Sequence, residues 1–146
     1  MPVFDSQTRE QLRQAYSNAW RKHQERSPLT PLETMIADVI GAHPEYQAIV
    51  SDPDAAVAFD PGVAGGGENP FLHMGLHLAI REQVSIDRPP GVRDLLQSLQ
   101  SRLGDLHAAE HALMEALAEA LWQAQRAGTP PDEGRYLTLA RRRLER

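Results

Sequence analysis

Two histidine pairs and one glutamate carry the chemistry that this sequence can support. His73/His77 and His107/His111 each have the spacing His-x-x-x-His. On a helix, residues four apart lie one above the other, so both imidazoles of a pair can reach one ion from the same face. The second pair belongs to DLHAAEHALMEALAEALWQAQ, residues 105–125. At roughly 100° per residue, Leu106, Leu113, Leu117 and Leu121 share a broad apolar face of that segment, with Met114 nearby and Glu110 near its middle. An unpaired carboxylate aimed at a core is strongly disfavoured, so Glu110 needs a cation or a dense set of donors. A bound metal is the simplest such cation. An arginine partner or ordinary buried hydrogen bonds are the alternative.

Facing each other across a helical bundle, the two pairs would supply four nitrogens, and Glu110 would add a carboxylate able to bind one ion or bridge two. His23 and His43 could join this shell. His23 ends the inward stripe of its own helix, and His43 lies about three turns beyond Glu33 on a comparable face. Glu33 is itself a candidate ligand, although its third position in a capping box explains it without an ion. Glu82, five residues after His77, reads as a surface glutamate beside Arg81, and Glu115, Met114 and Trp122 as rim and core residues. The candidate metal set is therefore His73, His77, His107, Glu110, His111, His43, His23 and Glu33. Such a set suits Fe, Zn, Mn or Ni, with iron or zinc the first expectation, in a mono- or di-metal site. No His-Glu-x-x-His occurs, so the zinc-protease arrangement is absent.

Two functions follow. In the first, a metal-binding bundle binds oxygen or performs redox or hydrolytic chemistry, with a spare Glu82 or Glu33 as base and an open coordination position. In the second, a non-enzymatic helical interaction module uses its histidines structurally or holds a closed structural ion, and its loop or acidic surface meets a protein partner of unspecified identity.

The elements that must position these residues read as helices throughout. Asp5 and Ser6 are N-cap candidates for a first helix, with Leu12, Ala15, Tyr16, Ala19 and His23 on its buried stripe. Ser27-Pro28 ends it. Thr30-Pro31-Leu32-Glu33 is a capping box with proline at the first helical position, opening a second helix through Ile36, Val39 and Ile40. His43-Pro44 interrupts that helix and starts a short segment ending at Ser51-Asp52-Pro53. Residues 52–69, with two prolines and four glycines, read as a long surface loop. Asn69-Pro70 opens a helix to about Ser85, with Leu76, Ile80 and Val84 forming a stripe beside His73 and His77. DRPPG stops it, and Val92, Leu95, Leu96, Leu99 and Leu103 mark the next, broken at Gly104. Asp105 caps the segment that runs to Gly128, and a last helix carries Tyr136, Leu137, Leu139, Ala140 and Leu144. Nothing alternates with a period of two. The expected fold is all-α, an antiparallel four-helix bundle with additional short helices, over residues 1–146 as one domain.

With 146 residues the chain can bury a core without a staple. Its net charge of −5 provides no overall basic field for nucleic acid or an anionic membrane. The arginine run at 141–143 is local and complements a helix C-terminus. The absence of cysteine rules out disulfides, thiolate ligands and cysteine nucleophiles. No signal or transit peptide is visible in MPVFDSQTRE, and no apolar run reaches membrane-spanning length, so a soluble cytoplasmic protein is expected.

NPFLHMGLHLAIREQ, residues 69–83, and HAAEHALMEALAEALWQAQ, residues 107–125, resemble a family of short bacterial proteins catalogued only as a domain of unknown function. The resemblance extends over nearly the whole chain. It includes PLE, here Pro31-Leu32-Glu33, and HPEY, here His43 to Tyr46. Gln47 stands where the family often has a further histidine, which weakens His43 as half of a third pair, and the glycines at 65–67 look like a local variation. The resemblance implies which residues belong together and supplies no reaction. More distantly, His73, His77 and Glu82 are similar to elements of hemerythrin-like di-iron bundles, although the order and the remaining ligands differ.

Overall fold

Helix starts and stops fall where local chemistry places them. The computed structural model describes residues 6–59 and 69–145, with side chains of the first segment from residue 10 onward. Among the described residues there are eight α-helices, a terminal 3-10 turn and no strand. The all-α expectation holds. Contacts divide the chain into two compact units, Met1–Leu78 and Ala79–Arg146, with the boundary inside one continuous helix.

The first unit contains α1 (Ser6–Gln24), α2 (Pro31–Gly41), α3 (Pro44–Val50), α4 (Pro53–Ala58) and the opening turns of α5 (Pro70–Ile86). The capping box of α2 forms as expected: Glu33 N–H donates to Thr30 Oγ1 at 3.1 Å and Thr30 N–H to Glu33 Oε1 at 2.9 Å. Asn69 caps α5, its side-chain oxygen accepting from Phe71 N–H at 3.0 Å. Tyr16, Ala19, Trp20, Ile36, Val39, Ile40, Phe71 and Met74 form the core.

Two expectations are corrected in this unit. The buried stripe of α1 runs through Arg13, Tyr16, Ser17 and Trp20, leaving Leu12 and His23 exposed. Arg13 is buried because its guanidinium donates to the carbonyls of Ala56, Val57 and Phe59, closing the C-terminus of α4, and it lies 4.8 Å from the centre of the Phe71 ring. The long loop expected over 52–69 begins instead as a helix: Pro53 at the first position, an Asp52 carboxylate accepting from Asp54 and Ala55 N–H, and the alanines that follow make 53–58 helical. Residues 60–68, including the glycines at 65–67, lie outside the described residues, as does Asp5.

The second unit contains the rest of α5, then α6 (Val92–Leu103), α7 (Leu106–Ala127), α8 (Glu133–Arg142) and the 3-10 turn Arg143–Glu145. Arg93 donates to the Val84 and Ser85 carbonyls at the end of α5, and the Asp87 carboxylate accepts from Gly91 and Arg93 N–H. Those donors, Arg93 N–H first, hold the Asp87 carboxyl below its usual range. Gly104 and Gly128 end α6 and α7 with φ of 81° and 69°, left-handed values that a glycine adopts without Cβ strain. Val92, Leu95, Leu96 and Leu99 on α6, Leu113 and Met114 on α7, and Tyr136, Leu137, Leu139 and Ala140 on α8 are buried. The inward face of α7 is richer in alanine than the leucine spacing suggests: Ala109, Ala112, Ala116, Ala120 and Ala124 are buried, whereas Leu106 and Leu121 are exposed. Trp122 is also exposed, with the Arg126 guanidinium 4.8 Å from its ring centre. No helix among the described residues is long and apolar enough to cross a membrane.

Candidate metal centre

The histidine at the α2–α3 joint is placed by the proline that follows it. Pro44 pushes His43 out of the α region, to φ −128° and ψ 75°, so the chain turns there and the His43 ring folds back against α2. Its Nδ1 lies 2.7 Å from the Val39 carbonyl, one of the last acceptors of that helix. A carbonyl only accepts, so Nδ1 carries the proton and donates, which puts the imidazole lone pair on Nε2. The ring is buried at 5% exposure and stacks on Tyr46 with centroids 5.3 Å apart. On α5, His77 is fully buried and His73 half-buried. The three imidazoles form a tight triangle, with centroid separations of 4.7 Å for His43–His77, 5.0 Å for His43–His73 and 4.9 Å for His73–His77. Tyr46 borders it, 5.9 Å from His73.

On α7, Asp105 accepts from the N–H groups of His107 and Ala108 and starts the helix just ahead of the second pair. The His107 and His111 ring centroids lie 4.4 Å apart, as the four-residue spacing allows. Glu110 is buried, at 3% exposure, as its position on the inward face anticipates. It is paired, however, with Arg81, one turn after His77 on α5. Arg81 Nε donates to Oε2 at 3.1 Å and Nη2 to Oε1 at 3.4 Å. This forked pair meets the electrostatic need for which the sequence suggested an ion.

Four histidines, His43, His77, His107 and His111, form a group that could hold a metal ion, since each offers a ring nitrogen and the four nitrogens lie within 4.8 Å of one another. The membership differs from the two-pair expectation at one place. His43 stands in the group where His73 was expected, while His73 packs edge-on against His43 and His77. The helix break at His43-Pro44 is the signal that could have promoted His43, because it frees that ring from the register of α2. Glu110 is outside the group and bound to Arg81. Glu33 is also outside it: besides capping α2 it accepts from Lys22 Nζ at 2.8 Å, and Lys22 first, then Thr30 N–H, holds its carboxyl below the usual range. His23, expected to point inward, is exposed and stacks on Trp20 at 5.2 Å. Glu82 and Glu115 are exposed, the latter paired with Arg143 at 2.8 Å. The residues that sequence reasoning missed are Arg81, read only as a surface neighbour of Glu82, and Arg13.

Residues 8–142 match a family described as a domain of unknown function, DUF1841. No curated protein and no solved structure matches the chain.

Proposed function

We propose that this chain, which belongs to the DUF1841 family of unassigned function, is a metal-binding helical protein in which His43, His77, His107 and His111 hold a single ion. The observation that carries this reading is the gathering of four imidazole nitrogens within 4.8 Å. With metal–nitrogen distances of about 2.0–2.1 Å, the edge of a tetrahedral zinc site is about 3.4 Å. The nitrogens therefore have to draw in by at most about 1.4 Å, which small side-chain rotations supply without leaving a staggered well. The Val39 carbonyl on His43 Nδ1 supports the same reading, because a metal-bound imidazole usually donates its other N–H to a carbonyl or carboxylate that orients it.

The engagement of Glu110 by Arg81 favours an all-nitrogen, mononuclear ligand set over a carboxylate-bridged pair of ions. Imidazole suits zinc, iron, nickel and copper, and zinc or iron remains the first choice. For zinc, four histidines complete the tetrahedron and the site is structural. An ion that takes five or six ligands, such as iron, would keep positions open for oxygen, redox or hydrolytic chemistry, with His73 and Tyr46 as nearby polar neighbours. Elemental analysis of protein purified without chelator, read with its optical spectrum, separates these cases. Stoichiometric zinc in the elemental analysis supports the structural site, and stoichiometric iron supports the open one. Failure to retain or rebind any transition metal would overturn the proposal.

A further inference from the structure

Within the second unit a cavity of about 370 Å³ opens between α5, α6 and the start of α7, lined by Arg81, Val84, Ser85, Leu96, Leu106 and Glu110. It is an open cleft whose volume falls in the small-molecule range, with apolar walls and a few polar groups. The arginine is the informative residue. A guanidinium has five N–H donors on two forked edges, one made by Nε and Nη2 and the other by Nη1 and Nη2. Glu110 occupies the first edge. The second edge remains, on a side chain that is 25% exposed while its partner is 4% exposed. Arg81 is thus anchored from its buried side and presents a preorganised fork on its outer one. Val84, Leu96 and Leu106 supply apolar surface, and the Ser85 hydroxyl, which donates to the Glu82 carbonyl at 2.8 Å, keeps acceptor capacity at the rim.

We propose that this cavity binds a small organic carboxylate, its headgroup on the Nη1/Nη2 edge of Arg81 and its short hydrocarbon body against Val84, Leu96 and Leu106. Glu110 sets the strength as well as the geometry. It holds the guanidinium in place, and its own negative charge opposes the incoming one, so affinity is modest, about millimolar. The site does not depend on the histidine group, and protein stripped with a chelator binds equally well.

The test is a nuclear magnetic resonance titration of the full chain, with chelator present, using hexanoate as the probe and hexanol as its uncharged counterpart. Saturable shifts in α5 and the start of α7, with hexanoate favoured over hexanol by about tenfold, are expected from a charge-assisted fork. Arg81→Lys keeps a cation for Glu110 but loses the fork, and should weaken hexanoate by a similar factor. Leu106→Trp, at an already exposed wall position, should fill the cavity and abolish binding without disturbing the core. Equal affinity for hexanol, unchanged binding in Leu106→Trp, or no saturation with hexanoate would overturn the proposal.

Discussion

Replacing Arg81 by Met should destabilise the second unit far more than loss of a half-exposed side chain ordinarily does. The Glu110 carboxylate, 4% exposed, would lose the forked partner that offsets its desolvation. Breaking a buried pair in this way costs about 3–5 kcal/mol. Because the arginine side of the pair is 25% exposed, water can relieve part of that penalty, and the lower end, about 3 kcal/mol, is expected. For a chain of this length each kcal/mol corresponds to roughly 2–4 °C, so the melting temperature should fall by about 6–12 °C. Glu110→Leu should cost less, since a lone Arg81 can turn to solvent. In Arg81→Met/Glu110→Leu both charges are gone and stability should return to within about 1 kcal/mol of the parent. The assay is urea unfolding followed by far-ultraviolet circular dichroism, in chelator so that a bound ion does not contribute. A single Arg81→Met variant within about 0.5 kcal/mol of the parent, or a double variant no better than the single, would refute the assignment of Arg81 as the partner that Glu110 requires.

Thr30→Ala removes the oxygen that caps α2 and should cost about 1 kcal/mol in a denaturant melt. Its capping partner Glu33 has a carboxyl held below the usual range by Lys22 and by Thr30 N–H. That contribution is present above the ordinary glutamate value, about 4.3, and is lost as pH falls through the lower folded value, so the acid-side fall in stability should be shallower in Glu33→Gln. Burial pushes the Tyr16 hydroxyl up to about 12. A raised tyrosine favours the native state below its ordinary value near 10 and loses that contribution as pH rises through the folded one, so Tyr16→Phe should flatten the alkaline limb of the stability curve. Gly128→Ala places a Cβ at φ 69° and should cost about 1 kcal/mol, measurable in the same melts.

Much of the helical layout was legible because it rests on local chemistry. Thr30-Pro31-Leu32-Glu33, Asn69-Pro70, Asp105 and Gly128 each act within a turn of themselves, and all do in the structure what their types suggest. Long-range choices were less accessible. The three-four spacing of α1 suggests a stripe through Leu12 and His23, but the helix rolls to bury Arg13, and the carbonyls of residues 56, 57 and 59, more than forty positions away, make that burial tolerable. On α7 the leucine spacing suggested one face, whereas close packing selected the alanines and left Leu106 and Leu121 outside. At the site, spacing pointed to His77, His107 and His111 and to the burial of Glu110, but not to His43 in place of His73. It did not identify Arg81 as the partner, since a cation 29 positions away leaves no periodic trace. His43 is the middle case: its proline marks the break, but its neighbours His73 and His77 are set by tertiary packing.

Equilibrium dialysis with zinc, on the parent chain and on single alanine variants of His43, His77, His107 and His111, bears most directly on the proposed ion site, with His23→Ala and Glu110→Gln as comparisons. The expected result is a single ion per chain in the parent, a marked loss of affinity in each of the four variants, and unchanged stoichiometry in both comparison proteins. Zinc bound equally by all four variants, or lost from Glu110→Gln as completely as from His77→Ala, would contradict a site built from these four imidazoles.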